Sequence, residues 1–175
     1  MTDLPLLMSA PLVRQTLADE KTMTSDPSER PMKALTLHRP WAGLIAARVK
    51  DLENRNWPPP ASLIGQRLAI HAGKRWDNEG AGWAWGLLER AGWSDHDLGE
   101  LFDACEPEGI VALVTVGAPV TASASPWFIG RYGWPMLDVV RLPEPIPCRG
   151  AQRLWTVPDD VAARVLAQVA RGGGR

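Results

Sequence analysis

The alternation of hydrophobic and polar positions predicts a short strand and then a helix near the start of a long patterned region. Residues 34–37, Ala-Leu-Thr-Leu, alternate as in a half-buried strand. Pro40 has a backbone angle suited to the first turn of a helix, and Trp41, Leu44 and Ile45 recur at helical spacing. Charged residues accumulate soon afterwards, so we expect the helix to end there and a second strand to follow.

The rest of the chain predicts a mixture of strands and helices. Further strands are predicted over residues 66–71, 109–120, 136–142 and 153–157, with a proline-rich edge segment over 143–149. Helices are predicted over residues 80–92, over 94–104 with Ser94 as N-cap, and from Pro158 onward with Val161, Val165, Leu166 and Val169 on one face. The segment 109–120 is the most apolar, and we expect it to be the central strand of the sheet.

Four charged side chains follow the first helix closely. In a strand, Asp51, Glu53 and Arg55 share one side while Leu52 faces the other. Lys50 is predicted at the corner between helix and strand, where its side chain can lean over the same surface. Two interpretations remain open: a solvated strand whose charges cancel, or a polar group that binds a ligand.

A second feature is the concentration of aromatic residues from Trp127 to Trp134, which contains four aromatics and two glycines in eight residues. We expect a loop in which Trp127, Tyr132 and Trp134 either stack on a base, at about 1–3 kcal/mol per stack, or close the end of the sheet as plugs. Trp83 and Trp85, in contrast, lie within a predicted helix and are interpreted as packing residues.

Basic and imidazole side chains mark the end of the predicted strand over residues 66–71. Lys74, Arg75 and Trp76 form a basic-aromatic patch suited to attracting phosphate. His71 is one of three histidines, and a structural hydrogen bond is favoured over a catalytic role.

Composition indicates a single globular domain of ordinary character. The chain has 175 residues, of which 45% are hydrophobic and 22% charged. No apolar run approaches the ~20 residues of a membrane span, and no signal peptide is predicted. Cys105 and Cys148 lack metal-binding spacing and are expected to be free thiols, which favours a cytoplasmic location. No zinc, phosphate-loop, dinucleotide or nucleophile-elbow motif is present, so no metal or cofactor is expected.

The charge is unevenly distributed although its total is only −1. Residues 33–78 carry 8 basic and 3 acidic side chains, whereas residues 79–108 carry 1 basic and 8 acidic side chains. One face can therefore attract phosphate while the acidic middle repels it.

The residues around the charged corner resemble those of the ASCH domain. Lys50, Glu53 and Arg55 match its Gly-x-Lys-x-x-Glu-x-Arg signature, while Arg48 stands at the glycine position. A left-handed backbone there would cost a non-glycine residue on the order of 1 kcal/mol. The resemblance covers about residues 33–158 and continues through the segments 53–58, 68–74, 126–128, 132–134 and 145–150.

The resemblance implies an α+β fold, a PUA-like β pseudobarrel of five to six strands with flanking helices. It implies binding of RNA or a modified nucleoside in a cleft between the opening helix and the aromatic segment. No membrane partner is expected, and a protein partner and the oligomeric state stay open. The expected ligand-binding residues are Arg39, Trp41, Lys50, Glu53, Arg55, His71, Lys74, Trp127, Tyr132 and Trp134.

Three alternative functions stay open. Bacterial N4-acetylcytidine amidohydrolases, small relatives of the family, use a lysine, a threonine and a glutamate; here Lys50 and Glu53 would be the catalytic pair. Glu53 occupies the threonine position, which argues against a threonine nucleophile. A ribonuclease would use Lys50 and Tyr132, and a protein-interaction module would use the tryptophans as a docking patch.

The N-terminal residues resemble the domain opening at an offset of 29 positions. Pro11 aligns with Pro40 and Lys21 with Lys50, while Thr24 falls opposite Glu53. A truncated second copy, chance similarity and an upstream start codon are all consistent with this match. We expect residues 1–32 to be an extension with a helix from Pro11 to Glu20 if it folds, 33–171 to be the domain, and 172–175 to be a flexible tail.

Overall fold

The computed structural model describes residues 30–172. The expected helix from Pro11 to Glu20, the N-terminal repeat and the tail beyond Gly172 lie outside the described residues. The elements in chain order are β1 (Lys33–Arg39), α1 (Trp41–Ala46), β2 (Leu52–Arg55), β3 (Arg67–Trp76), α2 (Asn78–Arg90), α3 (Asp95–Asp103), β4 (Gly109–Val116), β5 (Tyr132–Ile146), β6 (Leu154–Thr156) and α4 (Asp159–Gly172).

The strands form one six-stranded mixed sheet in the order β2-β5-β4-β3-β1-β6. β1 and β3 are parallel, and the other neighbours are antiparallel. β4 holds an inner position, as its apolar sequence predicts. Within residues 30–172 the sheet ends at edge strands β2 and β6 and is not closed into a barrel. The predicted α+β class is confirmed.

The side-chain alternation of the strands separates two cores. Leu35 and Leu37 of β1 pack with Ile45 of α1 on one face. Ala34 lies on the other face, in the cluster that contains Val161 and Val165 of α4. Helices therefore cover both faces of the sheet, and α1 carries the chain across one of them into the charged corner.

Helices α2 and α3 follow β3 and pack with the start of β2 in a third cluster. The predicted N-cap of α3 is confirmed, because the Ser94 hydroxyl accepts from the Asp97 N–H at 3.2 Å. The side chains of Leu44 and Leu52 are buried in a cluster with Ala84 and Leu98 of these helices. This packing brings α2 beside the charged corner.

Cys105 and Cys148 are both free, as the sequence predicts. Burial raises the pKa of the Cys105 thiol to about 12. Its sulfur lies so close to Gly43 that a β-carbon there would sit 2.4 Å away. Gly43 therefore lets α1 approach the end of α3.

The prediction of a loop through Trp134 was wrong at its C-terminal end. Residues 132–134 begin β5, where Tyr132 pairs with Arg55 and Trp134 with Glu53. β5 then continues as one strand to Ile146, although a separate proline-rich edge was expected from residue 143. Pro143 and Pro145 lie where the register of β5 with β4 shifts, between the pairs Ala112–Arg141 and Ile110–Ile146, so they do not interrupt a regular ladder.

Two further expectations need correction. Leu166 is 55% exposed, whereas Val161 and Val165 of the same helix are buried, because α4 contacts the sheet through a narrow stripe. β4 ends at Val116 rather than near residue 120. No helix within residues 30–172 is long and apolar enough to cross a membrane.

Candidate functional site

The corner after α1 turns the chain so that Lys50 points inward. Arg48 has φ = 60°, the left-handed conformation that the glycine position of the signature suggests. The N–H groups of Val49 and Lys50 both donate to the carbonyl of Leu44, at 3.0 and 3.1 Å. The Arg48 guanidinium also donates to the carbonyl of Val139 at 2.8 Å, which ties the corner to β5.

Lys50 and Glu53 form a buried ion pair. Lys50 is 3% exposed and Glu53 9%, and the Lys50 Nζ donates to Glu53 Oε2 at 2.9 Å. The same ammonium donates to the carbonyl of Leu52. Since an ammonium has three N–H donors, one remains for another partner.

Arg55 completes this group from the far side of Glu53. Its Nε lies 3.5 Å from Glu53 Oε1, and this buried Nε has no hydrogen-bond partner. Its guanidinium lies 6.0 Å from the ring centroid of Trp57. Glu53 therefore has a cation on each side, and the lone pairs that neither cation uses can accept from a ligand.

Trp41, the first residue of α1, lies over the lysine. The Lys50 Nζ is 5.7 Å from the Trp41 ring centroid, within the range of a cation–π interaction. The Trp41 indole N–H donates to Asp77 Oδ2 at 2.9 Å. The ring is thus fixed between the corner and the start of α2.

A cavity of about 460 Å³ opens in front of this group. Trp41 and Trp83 form its aromatic walls, with ring centroids 6.3 Å apart and planes inclined by 52°. The lining residues are Trp41, Lys50, Glu53, Asn54, Glu79, Gly80, Trp83 and Ile129. The volume lies within the range of small-molecule sites.

Asn54 holds the segment that forms one side of the cavity. Its amide nitrogen donates to the carbonyl of Trp127 at 2.8 Å, and its oxygen accepts from the Ile129 N–H at 2.8 Å. Asp51 supports the same segment, because its carboxylate accepts from the Ser125 hydroxyl at 2.6 Å.

Of the ten expected ligand-binding residues, three line the cavity: Trp41, Lys50 and Glu53. Trp127 is buried and packs edge-on against Trp83, with ring centroids 5.8 Å apart. Trp134 is fully buried, and its indole N–H donates to the carbonyl of Trp57 at 3.0 Å. Both tryptophans support the cavity from behind rather than facing it.

Lys74 and Arg75, which were expected to attract phosphate, and Arg39 and Tyr132, which were expected to bind a ligand, are not part of this cavity lining. Arg39 connects the end of β1 to β3 and to the segment before β4, because it donates to the carbonyls of Gly73, Lys74 and Glu106. Lys74 is exposed at the end of β3. Tyr132 packs against the core, with Arg131 5.2 Å from its ring centroid.

His71 belongs to a separate, buried environment. Its Nε2 lies 3.1 Å from the carbonyl of Cys148, and its Nδ1 is buried without a partner. Burial lowers the pKa of His71 below 6.5. A β-carbon at Gly150 would come within 2.6 Å of Nδ1, so no space remains there for a ligand.

A second cavity of about 600 Å³ also lies at the corner. Its lining includes Arg48, Lys50, Asp51 and Asp138 together with apolar residues of β5, so Lys50 borders both cavities. Among the residues that the structure describes, no cluster of three or more His, Cys, Asp or Glu side chains is arranged to hold a metal ion.

Sequence reasoning missed five residues of the cavity between Trp41 and Trp83: Asn54, Glu79, Gly80, Trp83 and Ile129. Trp83 was interpreted as a packing residue, but it is 37% exposed and forms a wall. The helical periodicity contained a signal, since Ala81, Ala84 and Leu88 form the buried face of α2 and Trp83 lies well outside that face. Trp85 does pack as expected, 5.3 Å from the ring of Phe102.

No protein-family model matches the chain, and a search of the curated proteins gives no match.

Proposed function

We propose that the cavity between Trp41 and Trp83 binds the base of a modified nucleoside or of an unpaired RNA residue. The observation that carries this proposal is the buried Lys50–Glu53 ion pair, which lies at the wall of an open cavity between two indole rings. Indole faces stack on bases of any sequence, and a paired ammonium and carboxylate supply directional hydrogen bonds.

The energetics of burial support a binding role for the ion pair. Removing two charges from water costs several kcal/mol per ion, and an apolar pair of similar volume is often equally or more stable. Folding alone therefore does not require Lys50 and Glu53 at this place. The free N–H of Lys50 and the unused lone pairs of Glu53 match the neighbouring acceptors and donors of a base edge.

The resemblance to the ASCH domain supports the same proposal. Arg48 stands where the signature has glycine and adopts the backbone conformation that glycine adopts readily. The six-stranded mixed sheet is compatible with the PUA-like pseudobarrel that we propose for the chain. The agreement at Arg48 favours the alignment of Lys50, Glu53 and Arg55 with the signature.

The charges of the lining favour recognition of the base over recognition of phosphate. Lys50 is the one basic side chain in the lining, and it is already paired with Glu53, while Glu79 adds a second carboxylate. A phosphate group would gain no free cation there and would meet Glu79. We therefore expect most of the affinity to come from stacking and from the base edge.

Hydrolysis of a modified base is the second candidate function, favoured by the contact between a buried lysine and a carboxylate. No serine, threonine or tyrosine lines the cavity, so a hydroxyl nucleophile is absent from that lining. Water would have to act as the nucleophile, with Glu53 accepting its proton. We rank this reaction below binding.

Intrinsic tryptophan fluorescence tests the proposal, because Trp41 and Trp83 line the cavity. We expect saturable quenching by nucleosides or short RNA oligomers, with loss of the response in Trp83→Leu and retention in Trp85→Leu. Unchanged emission with every nucleoside and oligomer would refute base binding and favour a protein-interaction module.

Incubation with N4-acetylcytidine tests the hydrolase alternative. We expect no release of cytidine. Release that disappears in Glu53→Gln, which preserves side-chain size, would place hydrolysis above binding.

A further inference from the structure

The carboxylate of Asp77 connects the two aromatic walls of the cavity. Its Oδ2 accepts from the Trp41 indole N–H at 2.9 Å, and its Oδ1 accepts from the Gly80 N–H at 3.0 Å. The first bond holds a ring of α1, and the second caps the first turn of α2, the helix that carries Trp83.

Gly80 makes this arrangement sterically possible. A β-carbon at Gly80 would lie 2.3 Å from Cζ2 of Trp41 and 2.5 Å from Oδ2 of Asp77. The indole ring therefore packs directly on the backbone of α2, where any other residue would force it away. Trp41 cannot move toward α2, and its bond to Asp77 opposes movement away from it.

The backbone of Asp77 adds a connection to the sheet. Its N–H donates to the carbonyl of Arg39 at 2.7 Å, two residues before Trp41. The start of α2 is thus attached to the same short segment that leads into α1. The distance of 6.3 Å between the Trp41 and Trp83 rings depends on these contacts.

We propose that Asp77 is a positioning residue that sets the gap between Trp41 and Trp83 and thereby the affinity for a base. The proposal rests on the proposed function. Asp77 acts through Trp41, because it is not part of the cavity lining and both of its carboxylate oxygens already accept hydrogen bonds.

Substitution Asp77→Ser separates positioning from helix capping. Serine is a good N-cap, so the cap of α2 is retained, but its short hydroxyl cannot accept from Gly80 and Trp41 together. We expect nucleoside affinity to fall about fivefold, the effect of one hydrogen bond, and the melting temperature to fall by only about 2–4 °C, because the cap of α2 is retained. The indole N–H resonance of Trp41 should shift in the same variant.

Trp41→Phe is the second substitution of a double-mutant cycle with Asp77→Ser, since it keeps an aromatic wall and removes the N–H donor. If Asp77 acts through Trp41, Asp77→Ser should cause little further loss of affinity in the Trp41→Phe background. Independent, multiplicative losses would indicate a merely structural cap and would overturn the proposal. If Asp77→Ser does not fold, Asp77→Asn replaces it in the same cycle, because its single amide oxygen can serve only one of the two donors.

The panel of probes is cytidine, uridine, adenosine and guanosine, together with N4-acetylcytidine and a short single-stranded RNA. Wild-type affinity that Asp77→Ser leaves unchanged would overturn the positioning role and leave the proposed function intact. Failure of the wild-type protein to bind any probe would overturn the proposed function and the positioning role together.

Discussion

The ammonium of Lys50 donates to the carboxylate of Glu53 over 2.9 Å, and both side chains are buried where they face a cavity. The pair is only three residues apart in the chain, at the point where α1 gives way to β2. Its geometry thus depends on the corner at Arg48, which directs Lys50 inward.

Breaking this pair should destabilise the fold more than replacing it. We expect Lys50→Met to lower the free energy of unfolding by about 3 kcal/mol, because Glu53 is left buried with only the longer contact to Arg55. The double variant Lys50→Met/Glu53→Leu should recover much of the lost free energy of unfolding. Neither variant should bind the nucleoside. Urea unfolding of the three proteins measures this. A double variant less stable than Lys50→Met would contradict the view that the pair serves binding.

The two tryptophans of α2 should separate binding from stability. Trp83→Leu removes a cavity wall, and we expect nucleoside affinity to fall about tenfold or more, the contribution of one stacked aromatic. Trp85→Leu removes packing against Phe102 and should lower the melting temperature with little effect on affinity. Fluorescence titration and thermal unfolding of both variants test the distinction, and the reverse pattern would contradict it.

Glu79 should disfavour phosphorylated ligands. Neutralising it in Glu79→Gln should raise the affinity for a nucleoside 5′-monophosphate about twofold at low salt, and less at high salt, because Glu79 is exposed and screened. Affinity for the unphosphorylated nucleoside should not change. Glu89→Gln on the same helix is the control, since Glu89 does not line the cavity. Equal gains from both variants would indicate a general charge effect.

His71 should make stability depend on pH. Burial lowers its pKa from 6.5 in the folded protein, against the opposing influence of the Cys148 carbonyl and the charge of Glu108. As the pH is lowered, His71 is therefore protonated in the unfolded chain before it is protonated in the folded protein. The contribution of His71 to the free energy of unfolding is fully present above pH 6.5 and decreases as the pH falls below that value.

The slope from this single group cannot exceed about 1.4 kcal/mol per pH unit. Urea unfolding at several pH values between 5 and 7.5, with His71→Gln for comparison, measures it. Substitution should flatten the profile over this range. An identical slope in both proteins would show that other groups cause the dependence.

Arg48 should carry the strain of a left-handed backbone. Because its φ is 60°, Arg48→Gly should be about 1 kcal/mol more stable than Arg48→Ala, which loses the same bonds to Val139 but keeps a β-carbon. Ala47 is the control, since its φ is −76° and glycine there should not stabilise. Chemical unfolding of Arg48→Gly and Arg48→Ala, and of Ala47→Gly and the wild type, gives the two comparisons.

The elements β1 and α1 and the charged corner after them could be predicted because each is determined by residues that are close together in the sequence. Period-two alternation in β1, helical spacing in α1 and the charges after Arg48 are all read within some twenty residues. The local pattern placed Lys50 and Glu53 close together but left a solvated strand open, and the resemblance to the ASCH signature assigned them to a site. The strain expected at Arg48 also followed from its position in a short motif.

The rest of the site was less predictable because it depends on contacts between distant segments. Trp134 was expected either to stack on a base or to act as a plug, and its pairing with Glu53 in the β2–β5 ladder places the indole in the core, in agreement with the second alternative. Trp83 is brought to the cavity by the docking of α2 against α1. Helical periodicity places Trp83 outside the buried face of α2, but it does not show that a cavity lies in front of the indole.

The sheet order has a consequence for synthesis of the chain. β1 lies between β3 and β6, and Lys33 of β1 pairs with Thr156 of β6. At a translation rate of about 5–20 residues per second, the edge of β1 that β6 covers stays unpaired for several seconds or more after β1 has left the ribosome. A nascent chain in that interval exposes a strand edge that can pair with another chain. We expect a chain truncated before β6 to aggregate, because β6 is the strand that covers this edge of β1.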